Sequence, residues 1–172
     1  NLTALSFEAV HLDRTVDKLI IEPLIGAQLL ASCGVSPSHW IDLGSGGGSP
    51  AIPLRLACPC GSMAMVESRT RKGAFLREVV RSLALARTTV VTERFEDVRG
   101  GADASLVSMR AVRLDAQMVT FTRSLLAMDG YLLSFGTSPV SETFAEVGNM
   151  VLPDQSLLHL LRMANVPRGT LS

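Results

Sequence analysis

The organisation of this chain follows from residues 40–50, WIDLGSGGGSP. An apolar, strand-like segment runs into the glycine turn, residues 44–48 (GSGGG), and the next strand-like segment, 63–66 (MAMV), ends at Glu67. Glycines let the backbone turn sharply and approach a ligand closely, because no Cβ intervenes. A carboxylate at the end of the following strand can accept hydrogen bonds from both hydroxyls of a ribose. The spacing therefore predicts a pocket for a nucleoside-bearing cofactor.

Composition and charge limit the class of protein. The 172 residues are 47% hydrophobic but only 5% aromatic, so the core has to be built from aliphatic side chains. Sixteen basic and sixteen acidic residues cancel, which argues against a protein that coats nucleic acid by bulk charge but allows a local basic face. The three cysteines occur without a secretory signal, a zinc-type spacing or a membrane-length apolar run. We expect a cytoplasmic protein with reduced thiols, no metal and no membrane contact.

Hydrophobic periodicity predicts alternating helices and strands. The predicted helices span residues 16–31, 50–57, 70–85 and 114–126, and the predicted strands span 41–43, 63–66, 89–92, 105–107, 131–135 and 159–163. Residues 128–130 (MDG) are predicted to form a turn. This alternation predicts an α/β fold with a mostly parallel sheet and helices on both faces. We expect one domain, 1–172, with an N-terminal helical part (1–38), a cofactor-binding core (39–136) and a C-terminal part (137–172).

The residues after the glycines discriminate between cofactors. A phosphate-binding P-loop needs Gly-Lys-Ser/Thr, whereas this turn continues as Ser49-Pro50. The same two residues weaken a dinucleotide motif, which has a third glycine there. S-adenosylmethionine carries no phosphate and needs a glycine turn, a ribose-binding carboxylate and an apolar slot for adenine. Asp42 can accept hydrogen bonds from the turn or face the cationic sulfonium. This pattern favours S-adenosylmethionine as the cofactor.

Several longer motifs resemble one family, the bacterial guanine-N7 methyltransferases of 16S ribosomal RNA (RsmG, or glucose-inhibited division protein B). The resemblance covers roughly the first three quarters of the chain. Its motifs are residues 1–4 (NLTA), 42–54 (DLGSGGGSPAIPL), 66–68 (VES), 72–81 (KGAFLREVVR), 93–96 (ERFE) and 109–112 (MRAV). The resemblance implies a Rossmann-like methyltransferase fold. It also implies a ribosomal RNA substrate, either free or in an assembly intermediate of the small subunit.

The resemblance also implies roles for individual residues. The methionine end of the cofactor would lie on Gly44, Ser45, Gly46 and Gly48, with Asp42 before them, and the ribose on Glu67 beside Ser68. Phe95 and Glu96 would line the adenine, with Phe95 as a stacking face. Arg110 would stand near the transferred methyl group as the catalytic candidate. The RNA would meet Arg69, Arg71, Lys72 and Arg113.

The chain departs from the family at four places. Residues 48–51 (GSPA) replace Gly-Phe-Pro-Gly, residues 134–136 (SFG) replace Leu-Lys-Gly, Ser105 replaces an aspartate, and residues 14–19 (RTVDKL) replace His-x-x-Asp-Ser-Leu. These changes affect the assignment of the cofactor less than they affect the assignment of the substrate. Two alternatives therefore stay open, a non-catalytic methyltransferase-like domain that binds RNA or protein, and a nicotinamide-dependent oxidoreductase. The oligomeric state is not given by the sequence.

Guanine N7 is a bare lone pair, so its methylation needs no general base. Alignment and desolvation can supply most of the rate. The absence of a nucleophile–histidine pair is therefore no objection to an enzyme. The basic cluster at the start of the predicted helix 70–85 has two interpretations, phosphate contact or a solvated helix start.

Overall fold

A computed structural model describes residues 13–98, 101–112, 114–136 and 142–164. Within these residues the sheet has seven strands in the order β3-β2-β1-β4-β5-β7-β6, and β7 runs antiparallel to the other six. The strands are β1 (His39–Leu43), β2 (Ser62–Val66), β3 (Thr88–Val91), β4 (Ala104–Arg110), β5 (Leu126–Phe135), β6 (Phe144–Val151) and β7 (Leu157–Met163). The predicted α/β fold with a mostly parallel sheet is confirmed.

Helices cover both faces of the sheet. They are α1 (Glu22–Ser32), which continues a π-helical turn (Asp17–Ile21), α2 (Ala51–Ala57), α3 (Thr70–Ser82) and α4 (Ala116–Leu125). One apolar cluster joins α1, α2 and α3 to the face that carries Trp40 and Met65, and a second joins α4 to the face that carries Ile41 and Val107. Because side chains alternate along a strand, β1 contributes to both clusters.

Two sequence predictions need correction. Residues 128–130 do not form a separate turn after α4, since α4 stops at Leu125 and these residues lie inside β5. They form an irregularity there, because β5 advances five residues (126 to 131) while β4 advances two (104 to 106). The sequence pattern predicts the last strand, β7, but misses β6. All three cysteines are free thiols, as expected. None of the described helices is long and apolar enough to cross a lipid bilayer.

Candidate functional site

The predicted site residues meet where β1, β2 and β4 end. These strands are adjacent and parallel, so their carboxyl ends lie at one edge of the sheet. The glycine turn follows Leu43 directly and is attached to β2, because Gly44 N and Ser45 N both donate to Val66 O at 2.9 and 3.0 Å. This edge is where open parallel sheets bind their ligands.

Three glycines of the turn have backbone angles that other residues rarely adopt. Gly44, Gly46 and Gly48 have φ values of +75°, +56° and +96°. A Cβ placed on Gly46 would lie 3.6 Å from Gly44 O and 3.9 Å from Lys72 Nζ, and one on Gly47 would have no described atom within 4 Å. The conformation of the turn thus favours glycine at positions 44, 46 and 48. The space above Gly46 and Gly47 is open to a ligand.

Asp42 lies beneath the turn and only 1% of it is exposed. Ser45 Oγ donates to one carboxylate oxygen at 2.6 Å, and Ser108 Oγ donates to the other. Trp40 Nε1 in turn donates to Ser108 Oγ at 2.8 Å. Both oxygens are therefore used inside the protein, which favours the loop-shaping role over contact with the sulfonium.

Burial raises the pKa of Asp42 from 3.8 to about 6, against the opposing effects of its hydrogen bonds and of the Arg110 charge. The folded state consequently holds this proton more tightly than the unfolded chain. Protonation of Asp42 raises the free energy of unfolding as the pH falls through about 6. The increase is complete below 3.8, the pKa of this group in the unfolded chain. Above pH 6 the buried charge opposes folding.

We predict that Asp42→Asn removes this pH dependence. Lowering the pH from 7.5 to 5 should stabilise the native protein through Asp42 by on the order of 1 kcal/mol, a difference that the asparagine variant lacks. Asparagine can keep the geometry by accepting from Ser108 and donating to Ser45. Urea unfolding of both proteins at the two pH values measures the difference. An identical pH response of the two proteins would show that Asp42 titrates normally.

Glu67 is held against the turn by backbone donors. Its Oε2 accepts from Gly46 N at 2.9 Å and its Oε1 accepts from Arg69 N at 2.8 Å, and only 6% of the residue is exposed. A carboxylate has about four acceptor positions. Two are used by the backbone, so each oxygen keeps capacity for one ribose hydroxyl. The structure therefore places Glu67, the residue predicted to bind the ribose, beside the glycine turn.

Phe95 forms the opposite wall of the same space. It opens a short 3-10 turn (Phe95–Asp97) after β3, and its ring lies 3.5 Å from where a Cβ on Gly44 would be. The ring also stacks on Phe121 of α4, with 6.4 Å between ring centres and 27° between planes. An aromatic face backed by a second ring in this way is suited to a planar base.

Arg110 ends β4 below the turn, and its side chain is 12% exposed. Its Nη2 lies 2.8 Å from Glu22 Oε2, its Nη1 donates to Ser49 Oγ at 3.2 Å, and its guanidinium sits 4.5 Å from the centre of the Phe135 ring. These contacts tie the turn to α1 and β5. Arg110 therefore has a clear positioning role, in addition to any contact with substrate.

Four further predicted residues lie at the rim of the site. Ser68, Arg69, Arg71 and Lys72 are exposed at and just before the first turn of α3. Arg113, the side chain of Glu96 and the motif at residues 1–4 lie outside the described residues. In the part of the chain that the structure describes, no three His, Cys, Asp or Glu side chains group as they would around a metal ion.

Sequence reasoning missed Glu22, Trp40 and Ser108. Glu22 is a buried carboxylate, 4% exposed, in a helix whose other buried residues are Pro23, Gly26, Leu29 and Leu30. A charged residue on an apolar helix face was the available signal, because such a residue is seldom buried without a partner. Ser108 and Trp40 carried no comparable signal, since serine and tryptophan are ordinary in strands of a packed sheet.

Comparison with known proteins identifies the family. Residues 1–154 match the family described as rRNA small subunit methyltransferase G, GidB. A ribosomal RNA small subunit methyltransferase G from Halorhodospira halophila is 32% identical in an alignment of 172 positions, which covers 99% of this chain and 77% of that protein. The chain belongs to this family. Another member, from Chromobacterium violaceum, is 35% identical over 127 residues, 70% of this chain and 61% of its own length.

Solved structures agree with the family's fold. An S-adenosylmethionine-dependent methyltransferase from Aquifex aeolicus superposes with a TM-score of 0.67 at 9% identity, covering 87% of this chain and 92% of that one. TYW2 from Pyrococcus horikoshii, in complex with MeSAdo, gives a TM-score of 0.64 at 12% identity over 75% of this chain and 58% of that one. At these identities the likeness concerns the fold alone, which is that of Rossmann-like methyltransferases.

Proposed function

We propose that this protein is an S-adenosylmethionine-dependent methyltransferase that acts in the cytoplasm on N7 of a guanine in 16S ribosomal RNA. The observation that best supports this cofactor is the hydrogen bond from Gly46 N to the Glu67 carboxylate. It sets a group suited to binding a ribose beside an open glycine turn. Membership of the small-subunit methyltransferase G family supports the substrate. Phe95 and Glu96 would then flank the adenine, and Ser68 would lie beside the ribose.

The residues present suit the reaction. S-adenosylmethionine, held by the glycine turn and Glu67, would supply a methyl group activated by the cationic sulfur to which it is bonded. No proton moves, so the protein's task is to align the two reactants and exclude water. Asp42 and Arg110 serve alignment, because they fix the glycine turn from below through Ser45 and Ser49. These contacts make Arg110 a positioning residue, and its proposed catalytic role beside the transferred methyl group is supported by the match of residues 109–112 (MRAV) to the family.

The RNA is proposed to meet the exposed start of α3. Arg69 and Arg71 lie at the rim, and Arg113 follows β4 in the sequence. Cations are unfavourable at a helix N-terminus, and phosphate groups would relieve that cost. Because the whole chain is neutral, such contacts have to be concentrated near the site.

The deciding experiment is methyl transfer to small-subunit RNA and to partly assembled subunits, with 7-methylguanosine located by mass mapping. We expect 7-methylguanosine to be missing from the small-subunit RNA of a deletion strain and to reappear when this protein is supplied. Reversing Arg69 and Arg71 to Glu should reduce the logarithmic salt slope of RNA binding by about one for each phosphate contact that is lost. Cofactor binding without transfer would instead support the non-catalytic alternative, and an unchanged salt slope would show a solvated helix start.

A further inference from the structure

We infer that Lys72 binds the carboxylate of the cofactor's methionine part, rather than the RNA phosphates that the sequence suggested. The inference rests on the cofactor of the proposed function. Its first observation is position, because Lys72 Nζ reaches to 3.9 Å from the place that a Cβ on Gly46 would occupy. Lysine side chains at the start of a solvated helix normally extend into water, whereas this one leans over the glycine turn.

The backbone beneath Lys72 is fixed. Gly73 is buried, and a Cβ on it would lie 2.5 Å from Thr92 Oγ1, so α3 approaches the end of β3 as closely as a glycine allows. Leu76, one turn later, is fully buried in the core. The first turn of α3 is therefore anchored beside the glycine turn, and the Lys72 side chain starts from a fixed backbone position within reach of that turn.

The Lys72 ammonium has no carboxylate partner in the part of the chain that the structure describes. Its position in the first turn of a helix is electrostatically unfavourable. Glu67, which lies next to the turn, accepts hydrogen bonds from Gly46 N and Arg69 N instead. The space above Gly46 and Gly47 is otherwise open. A lone cation beside an open turn is suited to an anionic group of a ligand.

The charges of the cofactor make the inference specific. S-adenosylmethionine has one anion, its carboxylate, together with an ammonium and a sulfonium, so its net charge is positive. If Lys72 acted only through bulk electrostatics, its removal would strengthen the binding of this cation. If it pairs with the carboxylate, its removal weakens binding. The two cases have opposite signs.

The test compares S-adenosylmethionine with its decarboxylated form, which lacks only the carboxylate, by calorimetry without RNA. We expect Lys72→Met to weaken binding of S-adenosylmethionine about tenfold. Binding of the decarboxylated form should stay unchanged or become slightly tighter. Lys72→Arg should recover part of the affinity, since it keeps the charge. Lys72 is exposed, so these variants are expected to fold.

Arg81→Met is the matched control, since it removes another exposed charge from the last turn of α3 and should not weaken binding of either ligand. Equal loss of both ligands in Lys72→Met, or no loss of either, would overturn the inference while leaving the cofactor assignment intact. Failure of the unaltered protein to bind S-adenosylmethionine would overturn the cofactor assignment itself, and the role of Lys72 with it.

Discussion

Replacing Gly46 with valine is expected to abolish cofactor binding while the domain stays folded. Gly46 has φ of +56°, which a β-branched residue adopts only at a cost of about 1–3 kcal/mol. The new side chain would also occupy the open space over the turn, between Gly44 O and Lys72 Nζ. We expect the dissociation constant for S-adenosylhomocysteine to rise at least about a hundredfold by calorimetry.

Gly34→Val is the control for this prediction. Gly34 has a similar φ of +68°, a Cβ placed on it would have no described atom within 4 Å, and it follows α1 away from the turn. It should carry the same backbone cost and retain cofactor affinity. If Gly46→Val bound the ligand normally, the turn would not be the cofactor seat. If it failed to fold, Gly46→Ala would repeat the test with a smaller side chain.

Removal of the Glu67 carboxylate is expected to have the next largest effect. Glu67→Ala takes away the proposed ribose ligand and leaves Gly46 N and Arg69 N without their acceptor. Loss of a charge-assisted hydrogen bond is worth about 1.5–3 kcal/mol, or roughly tenfold to a hundredfold in affinity. Calorimetry with S-adenosylhomocysteine measures it, and circular dichroism checks the fold.

A 2′,3′-dideoxy form of the ligand, which lacks both ribose hydroxyls, separates the two roles of Glu67. If the carboxylate binds the ribose, Glu67→Ala should affect the dideoxy ligand much less than the ordinary one. An equal loss for both ligands would mean that Glu67 acts only by holding the turn. Unchanged affinity for both would remove Glu67 from the site altogether.

The sequence predicts those parts of the fold that are set by local pattern. Helix α3 is predictable because apolar residues recur every three to four positions among charged ones, although the structure buries Gly73 and Leu76 and leaves Phe75 54% exposed. Strand β6 is not, because its register shifts between Glu146 and Gly148 and so the alternation of side chains is interrupted. The composition of residues 128–130 is typical of a turn, and they lie inside a strand because Leu126 before them and Tyr131 after them both pair with β4.

The same distinction holds for the site. Gly46 and Glu67 could be predicted because a short motif fixes their spacing. The partner of Arg110 could not, since Glu22 lies 88 residues earlier (110 − 22) and meets it only when α1 packs beside β4. The place of Lys72 depends equally on packing, here of α3 against the end of β3.

The connection between β3 and β4 makes the two walls of the site unequal in rigidity. Its described residues contain only the turn Phe95–Asp97, and a cavity of about 490 Å³ lies between this connection and the apolar face formed by Ile41, Ala64, Val66 and Val91. Few buried contacts mean a low free energy of local opening. We expect the Phe95 wall to adjust to ligands while the glycine turn stays fixed, and native-state hydrogen exchange should accordingly be faster in β3 than in β1. Equal protection of the two strands would contradict this gradient.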